Sequence, residues 1–226
     1  MWAGRDFLRA PLDALKTKGC KTATWGTKRI LKIKERARAE LRKEHPAEFA
    51  MLDGIRSALP RDTIVAAQSM IGHWCRFALD CYEPSSFLFA NSYGSMGFAF
   101  HAAIGAKIAA PDRPVAAFCG DGGFMMGCGE MATIAQLGLN IPIVIVNNGG
   151  FAILRSRQLS NYQRTIGTDL FNPDFPTFAP AFGFEGRRIE RLEDLPVQLR
   201  EAIGSDRSYL IEVPIEFTDY RSGSIQ

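Results

Sequence analysis

Two short apolar runs, residues 115–119 and 141–146, flank a helical pattern at 126–137. The first run stops at Gly120-Asp121-Gly122-Gly123 and the second at Asn147-Asn148-Gly149-Gly150. Two strands joined by a helix run parallel, so their carboxyl ends lie side by side. This predicts that the Asp121 carboxylate and the Asn148 amide share one edge of a sheet. Both offer hard oxygen ligands suited to Mg²⁺. The glycines let backbone N–H groups approach an anion, and the helix N-terminus that follows favours negative charge. The expected object is a metal-bridged diphosphate site.

Two other readings compete. A dinucleotide fingerprint needs G-x-G-x-x-G/A and an acidic residue after the next strand. Here the sixth position is Met125 and the next strand ends in Asn147-Asn148, so the pattern fails twice and a nicotinamide oxidoreductase is disfavoured. A purely structural reading makes Asp121 a helix cap in a glycine turn. The Asn-Asn pair at the end of the next strand argues for the cofactor site over the cap.

Gly120-Asp121-Gly122, twenty-four residues, then Asn147-Asn148 resembles the thiamine diphosphate motif. Asn91-Ser92-Tyr93-Gly94-Ser95-Met96-Gly97-Phe98, Ala102-Ala103-Ile104-Gly105-Ala106-Lys107 and Asn172-Pro173-Asp174-Phe175 are similar to the acetolactate synthase and 2-oxo acid decarboxylase group. The resemblance covers about residues 50–216 and corresponds to the C-terminal, diphosphate-binding domain of those enzymes.

The strands and helices that the sequence predicts agree with it. Expected helices span residues 3–17, 28–44, 49–59, 69–81, 97–109, 126–137, 151–159, 174–182 and 192–203. Expected strands span 63–67, 87–90, 115–119, 141–146, 186–189 and 209–213. Residues 19–27 read as linker, and 160–173 as an active-site loop or lid. Alternation of strand and helix with apolar strands predicts an α/β fold: a doubly wound, mainly parallel six-stranded sheet with helices on both faces. Residues 1–45 read as a helical, basic linker segment and residues 46–226 as the diphosphate domain.

Composition narrows the class. No apolar run reaches the length of a membrane span, and the N-terminus lacks the apolar core of a secretory signal. Five cysteines, odd in number and without C-x-x-C spacing, predict reduced thiols in a cytoplasmic protein. Three widely separated histidines make a zinc site improbable. From Lys16 to Glu44, eleven Lys/Arg face three Glu, a local charge of +8 within a net +3. Such a run can contact nucleic acid or membrane, but weak aromatic interleaving favours a solvated helix face. Neither nucleic acid nor membrane is an expected partner.

The resemblance implies roles residue by residue. Asp121, the side chain of Asn148 and the backbone carbonyl of Gly150 would bind Mg²⁺. Gly120 and the backbone N–H groups of Gly122 and Gly123, where relatives often have Ser or Ala, would hold the diphosphate. Ser92 would contribute to the cofactor site. Met96 would wedge between the two cofactor rings, the alternative being a core residue at a helix start. The carbonyl of Gly94 would accept from the cofactor's amino group. Gln68, Ser69 or His73 would contact the diphosphate, with an ordinary cap or a satisfied histidine equally open. Leu154 and Gln158 would face the substrate pocket. Glu130 would brace the diphosphate loop or stand exposed. His101 replaces a common Pro, and Phe151-Ala152 a common Tyr-Gly.

In the family, a Glu of a separate N-terminal pyrimidine-binding domain activates the cofactor across a dimer interface. These 226 residues hold no counterpart of that domain. The resemblance therefore implies a chain that binds the diphosphate end of thiamine diphosphate with Mg²⁺ and is catalytically incomplete alone. A pyrimidine-binding partner chain, in a homo- or hetero-oligomer, or a longer enzyme of which this is a fragment, would complete it. Met1 falling inside what resembles the last middle-domain helix fits the fragment better. The substrate would be a 2-oxo acid, and no flavin is expected. The alternative is a catalytically inactive interaction subunit that keeps the fold.

Overall fold

The computed structural model describes Thr17 and residues 26–215. The helix expected at 3–17, apart from Thr17, and most of the 19–27 linker lie outside the described residues. The chain divides into two units, Met1–Leu41 and Arg42–Gln226. Helix α1, Thr27–Glu44, is rich in strong helix formers and exposes Ile30, Leu31 and Ile33. It stops before His45-Pro46, because the residue preceding a proline avoids the helical region.

In the second unit, α2 (Pro46–Ala58) starts on a proline, which suits a first-turn position whose N–H has no partner in any case. Its apolar face, Phe49, Met51, Leu52, Ile55 and Ala58, is buried. The sheet then begins. Strands β1 (Ile64–Ala67), β2 (Phe87–Phe89), β3 (Val115–Gly120), β4 (Ile143–Val146), β5 (Glu185–Arg188) and β6 (Tyr209–Val213) line up in the order β2-β1-β3-β4-β6-β5. Every neighbouring pair is parallel. Between them run α3 (Ser69–Ala78), α4 (Phe98–Ala109), α5 (Asp121–Met125), α6 (Met131–Gln136), α7 (Ala152–Tyr162), α8 (Phe175–Phe178) and α9 (Leu195–Gly204).

Both faces of the sheet are covered. One parity of the strands, with Ile64, Ala66, Val115, Ala117, Cys119, Ile143, Ile145 and Leu210, joins Phe100, Phe124 and Phe175 in one cluster. The opposite parity, with Val65, Ala116, Phe118, Val144 and Ile211, is equally buried. Strands buried on both faces need continuous apolar runs, which these sequences supply. Phe100, Phe124 and Phe175 meet edge to face with centroids 5.5 and 5.7 Å apart, directly beneath the glycine turn. No helix of the described residues is long and apolar enough to cross a membrane.

The register sets the site. Ala67 pairs with Phe118, and Gly120 with Val146, so the segments that follow β1, β3 and β4 emerge at one edge. The chain leaves β1 toward β2 on one side and β3 lies on the other, so the connections diverge there. Ligands in such sheets bind outside the carboxyl ends at this switch point.

Two expected helices are interrupted. The helix expected at 126–137 begins at Asp121 itself, breaks after Met125, passes through a 3-10 turn at Cys128–Glu130 and resumes as α6. Gly127 and Gly129 in this stretch weaken helical continuity. The helix expected at 174–182 likewise splits into α8 and a 3-10 turn, Ala179–Phe182.

Candidate functional site

A cavity of about 440 Å³ opens at the carboxyl edge of the sheet. Ser92, Gly94, Met96, Gly120, Asp121, Gly122, Gly123, Asn148 and Gly150 all line it, so every residue singled out for cofactor or metal lies in one place. Gln68, Ser69, His73 and Leu154 line it too.

Asp121 is the first residue of α5 and is buried. Its Oδ2 accepts from the Gly150 N–H at 2.8 Å and from Asn172 Nδ2 at 2.7 Å. No protein donor reaches Oδ1 among the described residues, which leaves that lone-pair direction available. Asn148 Oδ1 is buried and has no hydrogen-bond partner. A buried amide oxygen without a donor costs about 1–3 kcal/mol, and a cation relieves the penalty. One carboxylate, one amide oxygen and a carbonyl at Gly150 form a hard-oxygen donor set of the kind Mg²⁺ takes. The residues present therefore fit a divalent cation.

Gln68 follows β1 and is likewise buried. Its Oε1 accepts from the Ala99 N–H at 2.9 Å, and its Nε2 is buried with no acceptor. That N–H₂ lies over Gly123, where an added Cβ would come 2.3 Å from it. At Gly122 an added Cβ would meet the Phe151 ring at 2.5 Å. The two positions are glycine here because Gln68 and Phe151 occupy the space a side chain would take. Ser69 follows with φ 61°, a left-handed conformation rare for serine, and its Cβ sits 3.0 Å from the position a Gly120 Cβ would occupy.

Met96 is half-exposed in the cavity wall, so it is not a core residue. Gly94 has φ 64° with open space around it, so the backbone conformation, not crowding, calls for glycine. His101 Nδ1 bonds the Gly97 carbonyl at 2.6 Å, and its ring covers Gly127. The Glu130 carboxylate accepts from Thr133 Oγ1 at 2.5 Å and does not line the cavity.

Gln158 is also outside the lining. Its amide holds the backbone of Ile166 at both the N–H (2.7 Å) and the carbonyl (3.2 Å). Arg157, three residues after Leu154 on the same helix face, takes the wall position. The 160–173 segment is fastened rather than loose. Gly150 bridges Asp169, the Phe151 N–H donates to the Thr168 carbonyl at 2.8 Å, and the Leu170 N–H to Gly149 at 2.9 Å. Arg155 adds bonds to Gly149 and Asp169. Sequence reasoning missed Arg157 and gave Asn172 no role in the site. Asn172 lies 51 residues from Asp121, and no local periodicity reports such a contact.

Burial pushes the Cys119 thiol up to about 12 and also raises the Cys75 thiol on α3. Both are packing residues, not nucleophiles.

A parallel six-stranded α/β sheet with a cleft at its switch point defines a cofactor-binding domain of the doubly wound class. The profile of the thiamine pyrophosphate enzyme, C-terminal TPP binding domain, matches residues 69–213, and the chain belongs to this family. A probable acetolactate synthase large subunit of Methanococcus aeolicus is 37% identical over 145 residues, 63% of this chain and 24% of that protein. A probable 2-ketoarginine decarboxylase of Pseudomonas aeruginosa is 34% identical over 185 residues, 79% of this chain and 33% of that protein. The Rhodococcus jostii thiamine diphosphate-dependent 4-hydroxybenzoylformate decarboxylase superposes with a TM-score of 0.70 at 29% identity, covering 76% of this chain and 33% of that one. The chain thus spans about a quarter to a third of the length of these proteins. It is the thiamine diphosphate-binding domain of the acetolactate synthase and decarboxylase group.

Proposed function

We propose that this chain holds thiamine diphosphate through Mg²⁺ as the diphosphate half of a 2-oxo acid decarboxylase or carboligase. Asp121 and Asn148 Oδ1, with the Gly150 carbonyl, hold the metal. The backbone N–H groups of Gly122 and Gly123, with Gln68 Nε2, receive the diphosphate. Met96 would pack against the cofactor's rings, the Gly94 carbonyl would accept from its amino group, and Ser92 would add a polar wall. Leu154 and Arg157 face the substrate. When bound, thiamine diphosphate supplies the electron sink for cleaving or forming the bond next to the 2-oxo carbon. The residues of this chain anchor, orient and desolvate it.

The observation that carries this reading is the buried Asn148 Oδ1 without a donor, beside a carboxylate whose Oδ1 is also free of protein donors. The acid that activates the cofactor comes from a pyrimidine-binding domain outside these residues, on a partner chain or a longer form of this one. The short span relative to the matched proteins supports this. Calorimetric titration of the chain with thiamine diphosphate, with and without Mg²⁺, tests the binding. Heat that requires both is expected. Identical traces with and without metal would favour an interaction subunit that has kept only the fold. Turnover of a 2-oxo acid by the pure chain at ordinary enzymatic rates would overturn the incompleteness.

A further inference from the structure

Asn172 binds two groups at once. Its Nδ2 donates to Asp121 Oδ2 at 2.7 Å and to Asn147 Oδ1 at 3.0 Å. Asn147 in turn donates from Nδ2 to Glu212 Oε1 at 2.6 Å and accepts at Oδ1 from the Gly149 N–H at 3.1 Å. Glu212 is buried on β6, and its Oε2 takes Arg188 Nε at 2.9 Å. Arg188 also pairs with Asp174, two residues beyond Asn172.

The polarity of this relay has one solution. Glu212, with Arg188 beside it, offers acceptors only, so Asn147 must present its N–H₂ to it. The Gly149 N–H is a donor only, so it meets Asn147 Oδ1. Asn172 must then turn its N–H₂ toward two acceptors, Asn147 Oδ1 and the Asp121 carboxylate. Each amide orientation is therefore dictated by a neighbour of fixed polarity.

We infer that Asn172 is a positioning residue for the metal-binding carboxylate. Together with the Gly150 N–H, it clamps Asp121 Oδ2 so that Oδ1 faces the cavity. Asn147, Glu212 and Arg188 fix the clamp from behind. The two asparagines of the pair thus divide the work: Asn148 faces the metal and Asn147 holds the holder. Groups that orient metal ligands typically carry a 10- to 100-fold effect on metal affinity.

The inference rests on the metal reading above, and the test separates the two. Asn172→Leu keeps the branched shape and removes the N–H₂; Asn172→Ser, too short to span both acceptors, is the second variant. Asn140→Leu is the control: Asn140 donates to the carbonyls of Ala202, Ile203 and Ser205, remote from the cavity. The metal-free readout is hydrogen exchange at the Gly150 amide, measured against the Ile145 amide in the centre of the sheet. The second readout is Mn²⁺ affinity in the presence of thiamine diphosphate. Both Asn172 variants are expected to speed Gly150 exchange at least tenfold relative to Ile145 and to weaken Mn²⁺ by tenfold or more. Asn140→Leu is expected to change neither ratio. Unchanged Gly150 protection, together with Mn²⁺ affinity within twofold of the unaltered chain, would overturn the inference and leave the metal reading standing. If the unaltered chain takes up no Mn²⁺ while Asn172→Leu still frees the Gly150 amide, the metal reading falls and the carboxylate clamp stands.

Discussion

At the residue scale, Asn148 and Asp121 differ in what they do for the metal-free protein. Asn148 Oδ1 has no partner, whereas Asp121 Oδ2 holds two donors. Asn148→Ala is therefore expected to leave the melting of the metal-free chain within about 1 kcal/mol while abolishing Mg²⁺-dependent binding of thiamine diphosphate. Asp121→Ala is expected to lose both, because it orphans the Gly150 N–H and Asn172. Thermal melts and calorimetry on the two variants check this contrast. The two glycines separate in the same way. At Gly122 an alanine would strike the Phe151 ring at 2.5 Å and the end of Leu170 at 2.9 Å. Gly122→Ala is expected to cost about 1–3 kcal/mol. At Gly123 the obstacles are the buried, hydrogen-bonded Gln68 amide and Ser69 Oγ, both at the cavity, so Gly123→Ala is expected to weaken cofactor binding as well as stability. Denaturant unfolding combined with calorimetry distinguishes the pair.

At the element scale, the buried strands are legible because a parallel sheet needs apolar residues on both faces, and runs such as Ile-Val-Ile-Val at 143–146 report that directly. β5 is legible less from its own polar sequence than from its place between helices, and it falls one residue earlier than expected. The break between α5 and α6 was not legible, because a hydrophobic pattern cannot show where glycines interrupt a helix. That Asp121 and Asn148 share one edge of the sheet was legible because both follow strands of matched register. The Asn172 clamp, the Gln68 amide and the substitution of Arg157 for Gln158 were not, since each depends on contacts between distant segments. Arg188 tests the relay at this scale. Arg188→Met leaves buried Glu212 with no cation, and a loss of about 1–3 kcal/mol is expected, tempered because the guanidinium is half-exposed. Chemical denaturation measures it; no change would show that water replaces Arg188 without cost.

At the scale of the whole molecule, pH reports how the core is built. Burial raises the Cys119 thiol from 9.0 to about 12, while in the unfolded chain it ionises near its ordinary value. Between those values the native state binds more protons than the unfolded state, so stability falls as pH rises from about 9 to about 12. Cys119→Ala is expected to flatten that part of the pH–stability curve, whatever its cost at neutral pH. An unchanged alkaline slope would show that Cys119 is not responsible. The central claim, that the carboxyl edge of this sheet carries a metal-bridged diphosphate, is tested most directly by a crystal grown with thiamine diphosphate and Mn²⁺ and measured for anomalous scattering. The account predicts one strong peak within about 2.0–2.4 Å of both an Asp121 oxygen and Asn148 Oδ1, touching the diphosphate. A bound cofactor whose metal peak lies away from Asp121 and Asn148, or has no metal at all, would contradict it.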